Sequence, residues 1–370
     1  MKNYLIYISL FFLFLNYSCS NSSKKEVLDS SAKMVEIKPS EDTLKLSEVF
    51  KNCDVVKLEN KLFAYVLDAK ILDSAIVVMG KSDNSDIHVF TKEGKYIRSL
   101  LKYGKGPGEI LNIQSMCYNE YHKTIDVLCN YGMCIYQCPI DGSHINKIEI
   151  PKDRIYVAKA MAPLNANIYL LYKDMSYLKQ EEYKLYVYNY KEDTIVSKIL
   201  PMDKKLAEKM SVIGQINNLY KNNGKIYFYE SFMDGIYEYD GRSLNKVVAF
   251  NKNLYTYPIS RISNFKDENE FVHNCMNSSY IWAHRNFIQS NNKLFSSFTY
   301  LKKLYLNCID LKTHKSKTYL YVNDDILTNS TFPSSMFYVI DSSGGRLICN
   351  IFGNEKLESG DSYLLLMDVK

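Results

Sequence analysis

Few of the residues that usually carry enzymatic or nucleic-acid chemistry are plentiful in this chain. Its 370 residues include one tryptophan, six histidines, eight prolines and fifteen glycines. No paired Cys-x-x-Cys and no histidine cluster occurs, which argues against a zinc site. No nucleophile elbow or zincin motif appears, and no Lys-Ser or Lys-Thr follows a glycine-rich turn as a P-loop requires. Charge of one sign is missing too. Forty-six Lys and Arg face 41 Asp and Glu, a formal net charge of +5, with no Lys/Arg-rich run, so nucleic acid is not an expected partner. Helical periodicity is nearly absent, and the long apolar run from Tyr4 to Leu15 is broken only by Ser9. What the chain does have is aromatic and apolar bulk: 46% hydrophobic residues and 32 tyrosines, a residue suited to half-buried strands.

The run at Tyr4–Leu15 follows Lys2 and is too short to span a bilayer, which needs about 20 apolar residues. It reads as a signal peptide. Ser18 directly before Cys19 resembles the lipobox of bacterial lipoproteins, and the resemblance implies that Cys19 is lipidated and anchors the mature chain to a membrane. Asn16 and Tyr17 depart from the commonest lipobox, which leaves ordinary secretion as the alternative. The polar tract beginning Ser20-Asn21-Ser22-Ser23-Lys24-Lys25 reads as a tether and lacks the acidic cluster of some surface-directed lipoproteins. The expected layout is a leader at 1–19, a tether at 20–42 and one folded domain at 43–370. The expected location is the outer membrane facing the periplasm, with the cell surface as the other choice. Of the eight remaining cysteines, most sit inside apolar strand runs and read as small buried hydrophobes. Cys129 and Cys134 flank Asn130-Tyr131-Gly132-Met133 and could face each other across a hairpin.

A strand-like run, a polar turn and a second run recur through the domain. The first runs are Val77–Met79, Thr124–Cys129, Asn167–Tyr172, Lys225–Tyr229, Lys293–Phe298 and Arg346–Ile351. Their spacing, roughly 45 to 70 residues, is that of propeller blades with insertions. The pattern predicts an all-β fold, a six-bladed β-propeller of four-stranded antiparallel blades. The last copy ends one strand short, so the N-terminal run Asp54–Leu58 is expected to supply that strand and close the ring. The Tyr103–Ile110 stretch, with three glycines and Pro107, reads as a shaped turn between two blades.

Val55-Val56-Lys57-Leu58-Glu59, the run Ile87–Arg98 and Gly104-Lys105-Gly106-Pro107-Gly108-Glu109 together resemble the six-bladed β-propeller lipoproteins of Bacteroidetes, related to NHL-repeat propellers. That resemblance covers Leu46 to Pro151 and implies a fold and a compartment more than an activity.

Links 102–112, 173–184, 201–214 and 251–280 would all fall on one face, that of the D-to-A and B-to-C connections. Candidate ligand-binding residues there are Tyr103, Lys105, Glu109, Arg154, Arg261, Trp282, His284 and Arg285, expected to gather at the channel entrance. Trp282 reads either as packing under the 251–280 loop or as a stacking platform. His284 reads as a structural histidine in preference to a catalyst. A metal held as in propeller lactonases would have to use Glu109, Asp153, Asn112, Gln114, Gln215, Asn217 or Asn218, a set poor in carboxylates, so no metal or cofactor is expected. The reading that results is a non-enzymatic module binding a glycan, peptide or protein. The alternative is a hydrolase or lyase acting on a glycan or lactone.

Overall fold

The computed structural model describes residues 32–59, 63, 65–81, 85–106, 109–151, 155, 157–173, 183–203, 219–351 and 362–370. Cys19, the first part of the expected tether, Arg154, residues 174–182 of the 173–184 link and most of 201–214 lie outside them.

The folded body begins earlier than expected. Strand β1 (Lys33–Val35), β2 (Thr43–Lys45), a helical turn α1 (Leu46–Val49) and β3 (Phe50–Leu58) come first. β4 (Tyr65–Ile71), β5 (Ile76–Lys81), β6 (Ser85–Phe90) and β7 (Tyr96–Tyr103) form an antiparallel sheet extended by β8 (Glu109–Ile110). The next is β9 (Ser115–Asn119), β10 (Thr124–Cys129), β11 (Cys134–Pro139) and β12 (Asn146–Glu149). Then come β13 (Ala158–Pro163), β14 (Ile168–Lys173), β15 (Tyr183–Asn189) and β16 (Thr194–Pro201). β17 (Leu219–Asn222), β18 (Lys225–Phe228), β19 (Gly235–Tyr239) and β20 (Leu244–Phe250) follow, with β1 added in parallel beside β20. A further sheet is β21 (Trp282–Ser290), β22 (Lys293–Tyr300), β23 (Lys303–Asp310) and β24 (Lys315–Tyr319). β25 (Tyr321–Asp324) and β26 (Ser330–Pro333) pair with β2, and β27 (Phe337–Ser343), β28 (Arg346–Ile351) and β29 (Ser362–Val369) pair with β3.

The chain is therefore an all-β propeller of seven sheets, and the expectation of six is corrected. The additional sheet is the three-stranded one made by β2, β25 and β26. It packs Leu44, Val322 and Phe332 into the core shared by the β21–β24 sheet and the closing sheet. Its strands have three or four residues each, too few to show alternation, and β2 is separated from its partner by most of the sequence. A second correction concerns the tether. Val35 and Ile37 are buried, so residues from Lys33 onward belong to the folded body.

The repeats read from the sequence fall on the second strand of each four-stranded sheet, and this has a physical cause. That strand is covered on both faces by neighbouring sheets. β10 is buried along its whole length, and β14 and β28 at all but their first residue. An outer strand such as β16 alternates between exposed and half-buried. Strands covered on two sides read as continuous apolar runs, which stand out in a sequence. Apolar cores fill the gaps between successive sheets, for example Val127, Ile125 and Met116 against Val77, Val89 and Leu101.

Polar contacts tie neighbouring sheets together as well. Asp126 on β10 is fully buried and accepts hydrogen bonds of 2.6 Å from each of Thr124 Oγ1, Asn119 Nδ2 and Tyr169 O–H, the last from the adjoining sheet. Burial still pushes its carboxyl above the usual range against the pull of these donors. Tyr169 is thus a core residue whose hydroxyl finds protein partners in place of water.

β3 supplies the fourth strand of the last sheet, in register from Ser362 with Leu58 to Met367 with Cys53, as the run at 54–58 suggested. Gly94 makes room for it. A side chain there would start 1.9 Å from the Lys57 carbonyl, and its φ of +89° suits glycine. The Glu59 N–H donates to the Gly94 carbonyl at 2.9 Å. Leu58 is buried with Val66, Ile348 and Leu364, whereas Val55 on the opposite face is 40% exposed. Leu58→Ala is expected to cost about 2–5 kcal/mol in urea unfolding, and Val55→Ala to stay within about 0.5 kcal/mol. Equal small effects would show that closure by β3 does not hold the ring.

Candidate functional site

The link between β20 and β21 folds as a small unit of its own. A 3-10 turn at Ile259–Asn264 precedes helix α2 (Glu268–Asn277). Asp267 caps α2 by accepting the Glu270 N–H at 3.0 Å, and the Glu270 carboxylate reaches back to the Lys266 N–H at 2.7 Å. Tyr257, Ile262, Phe271 and Cys275 form a buried cluster against which Phe232, Tyr280 and Trp282 pack. Cysteine here behaves as a small hydrophobe, its thiol pushed up to about 12 by burial.

Beneath this unit lies a cavity of about 490 Å³. Its walls come from the B-to-C link after β18 (Tyr229, Phe232, Met233, Asp234), from the start of the insertion (Phe250 to Ser260) and from Trp282, Ala283 and His284. β21 loses regular register against β22 between Trp282 and Arg285 and again between Arg285 and Ile288. Ala283 and Asn286 take φ values of 50° and 55° there. These bulges re-aim the side chains, so His284 is buried while Arg285 is exposed.

His284 sits among aromatic rings, with centroids 6.0 Å from Tyr229, 5.9 Å from Phe250, 5.7 Å from Phe287 and 5.2 Å from Phe298. Its Nδ1 lies 3.1 Å from the Tyr229 hydroxyl. Burial pushes its pKa down to about 3, so the ring is neutral at ordinary pH and is a weak base. Its Nε2 and the Trp282 Nε1 are buried and have no hydrogen-bond partner among the described residues.

Trp282 and His284 both line the cavity; of the other expected site residues, Arg154 lies outside the described residues and the rest do not line it. Tyr103 ends β7, is exposed, and donates its backbone N–H to Asp86 at 3.0 Å. Lys105 is exposed, and Glu109 accepts the Gly106 N–H at 2.8 Å. A side chain at Gly104 would start 1.8 Å from the Glu109 carboxylate, so Glu109 folds back onto Gly104 and Gly106. Arg261 stacks over Tyr280, with 5.8 Å from its guanidinium carbon to the ring centroid. None of these residues, nor Arg285, lines the cavity. The channel itself holds a smaller cavity of about 240 Å³ near the far ends of the inner strands, lined among others by Lys70, Ser115, Met161, Lys221 and Asp341. Lys70 there lies 3.0 Å from Asp68 and 2.5 Å from Asp341, and burial pushes Asp68 up to about 7.

Sequence reading missed Tyr229, Phe232, Phe250 and Tyr257. The only available signal was the aromatic and polar run Tyr229–Asp234 after a strand, which resembles ordinary blade sequence. Of the metal candidates, Gln114 and Asn112 hydrogen-bond each other, and Asp153, Gln215, Asn217 and Asn218 lie outside the described residues. Among the described residues, no group of three or more His, Cys, Asp or Glu side chains could hold a metal ion.

Residues 32–362 match the family described as Domain of unknown function (DUF4934). The chain belongs to that family. The chain matches none of the curated proteins. A solved Bacteroides fragilis protein named for inferred export is similar in structure at TM-score 0.70 and 16% identity, over 91% of this chain and 99% of its own. A member of the DUF4221 family from Bacteroides vulgatus is similar at TM-score 0.55 and 9% identity, over 87% of this chain and 97% of its own. At these identities the likeness concerns the fold of this DUF4934 chain.

The burial of His284 has a consequence in pH. Its folded-state pKa is below that of the unfolded chain, about 6.5, so protons bind the unfolded state preferentially. Its neutral burial costs nothing above about pH 6.5 and destabilises the fold increasingly as pH falls toward 3. Between pH 7 and 4.5, wild type is expected to lose about 2 kcal/mol more than His284→Phe in urea titrations. Parallel losses in the two proteins would place His284 in water.

Proposed function

We propose that this chain is an extracytoplasmic binding module that takes a ligand into the cavity under the 251–281 insertion. The observation that carries the reading is the pair of buried nitrogens without partners, Trp282 Nε1 and His284 Nε2, on side chains that line that cavity. A buried polar group left unpaired costs about 1–3 kcal/mol. A ligand with an apolar face and a hydrogen-bond acceptor would recover that cost with a small side-chain adjustment. Trp282 offers an N–H donor only, so the partner atom is an oxygen such as a sugar hydroxyl or a carboxylate. Of the two charged wall residues, Asp234 is paired with Lys246 at 2.7 Å, so Lys252 leaves a positive charge that favours an acidic glycan or peptide.

The mature chain is to be titrated calorimetrically with acidic glycans and peptides. Trp282→Ala is expected to weaken saturable binding about tenfold or more, consistent with losing a stacked aromatic and a donor. Arg285→Ala, outside the cavity, is expected to leave binding within about twofold. Binding indifferent to Trp282→Ala would overturn the site, and turnover of a glycan or lactone would overturn the non-enzymatic reading.

The location rests on the Ser18-Cys19 pair and on the inferred export of the Bacteroides fragilis neighbour. We read Cys19 as the lipid-bearing residue of an outer-membrane lipoprotein, after a leader at 1–19. Cys19→Ala is expected to move the protein out of the detergent-soluble membrane fraction. A variant that stays membrane-bound with its leader attached would refute the anchor.

A further inference from the structure

We infer that Cys129 and Cys134 are joined as a disulfide in the mature protein, and that this bond closes the β10–β11 hairpin. The two residues are direct cross-strand partners at the mouth of the turn Asn130–Met133. Directly opposed residues of an antiparallel pair have Cα atoms about 4.5–5.5 Å apart, inside the range a disulfide accepts. The sulfurs are already 3.3 Å apart, so bonding at about 2.0 Å needs a small side-chain rotation and no backbone movement. The other described cysteines offer no sulfur-to-sulfur contact of this kind. Cys138 and Cys308, like Cys275, are thiols that burial pushes up to about 12.

The surroundings favour attack by Cys134: Asn130 Nδ2 donates to its sulfur at 3.1 Å, which stabilises its thiolate, while the two cysteine sulfurs share a contact in which either can be the donor. The oxidant is a protein disulfide of the kind that oxidises exported chains, which ties this inference to the extracytoplasmic reading. Cys134 gives up its proton and its thiolate attacks one sulfur of that disulfide, releasing the other as a thiolate. Cys129 then loses its proton, its sulfur attacks Cys134 Sγ, and the oxidant's second sulfur leaves. Two electrons pass to the oxidant, and the two protons end on its thiols. Both cysteines are buried, at 0% and 2% exposure, so exchange occurs as the hairpin forms, before neighbouring strands cover it.

The bond would fasten a turn on which the preceding link depends. The Leu111 N–H donates to Asn130 Oδ1 at 2.9 Å, and the Asn130 N–H donates to the Leu111 carbonyl at 2.7 Å. A locked turn therefore anchors the end of the glycine-rich link between the first two sheets.

Two preparations of the full chain separate the pair from its compartment. In one, denatured reduced chain is refolded in oxidised glutathione; in the other, the protein is taken from the cell envelope with free thiols blocked at once. Both are then denatured, alkylated and mapped by mass. Of the eight cysteines at 53 and beyond, six are expected to alkylate, with a Cys129–Cys134 peptide lacking two hydrogens and reverting on reduction. Reductant is expected to lower the Tm of wild type and to leave Cys129→Ser/Cys134→Ser unchanged. Alkylation of all eight after refolding in glutathione disulfide, or a bond to a different cysteine, overturns the pairing. A bond formed in that buffer but absent from the envelope preparation upholds the pairing and instead overturns the extracytoplasmic reading.

Discussion

The pairing of β3 with β29 is the interaction on which the remaining geometry rests. A sheet that must complete a ring has to find its last strand somewhere, and an unfilled position leaves a row of unpaired backbone donors and acceptors. Here the strand comes from the other end of the chain, and the register Leu58 with Ser362 through Cys53 with Met367 places Val56 and Leu58 in the core shared with the first sheet. Closure is reinforced beside that seam. Arg346 bonds Asp54 at 2.5 Å, and the Lys370 N–H donates to the Val49 carbonyl at 2.9 Å. Joining the two ends converts a row of sheets, each held by its neighbours, into a single cooperative body.

Buried charge is used sparingly and mostly between sheets. Asp126 with Tyr169 joins the second sheet to the third, and Glu230 with Tyr172 at 2.7 Å and with Lys184 joins the third to the fourth. Lys70, between Asp68 and Asp341, joins the first to the last. Each of these groups would be costly alone, and Tyr169 reaches Asp126, Tyr172 and Lys184 reach Glu230, and Asp341 reaches Lys70 only when adjoining sheets are in place, so they reward one arrangement of sheets over others. His284 and Trp282 differ. Their free nitrogens lie beside a cavity, in a region where register is interrupted and an insertion forms the roof. Such sites depart from the internal consistency of the rest of the fold, as functional surfaces commonly do.

Legibility followed burial. Strands covered on two faces, such as Thr124–Cys129, announce themselves as apolar runs, and the turn at Tyr103–Ile110 is visible from its glycines. The sheet of β2, β25 and β26 was not visible, because short strands carry no period and a pairing across most of the chain leaves no local mark. The same holds for the site. Trp282 and His284 could be singled out as unusual residues, but Tyr229, Phe250 and Tyr257, which wall the cavity, look like any other aromatic in a tyrosine-rich chain. The cationic candidates Lys105, Arg261 and Arg285 share a link face with them in the sequence pattern, yet bulges and local turns direct them elsewhere.

By itself the sequence determined the all-β class, the recurring strand pairs, the closing strand at the N-terminal side and the facing of Cys129 and Cys134. All of these rest on local patterns of apolar spacing and turn chemistry. Tertiary structure alone decided that there are seven sheets, that residues from Lys33 belong to the body, and that the cavity lined by Trp282 and His284 lies under the insertion. These depend on which distant segments meet and where a bulge turns a side chain, and such contacts are settled by packing among residues far apart in the chain.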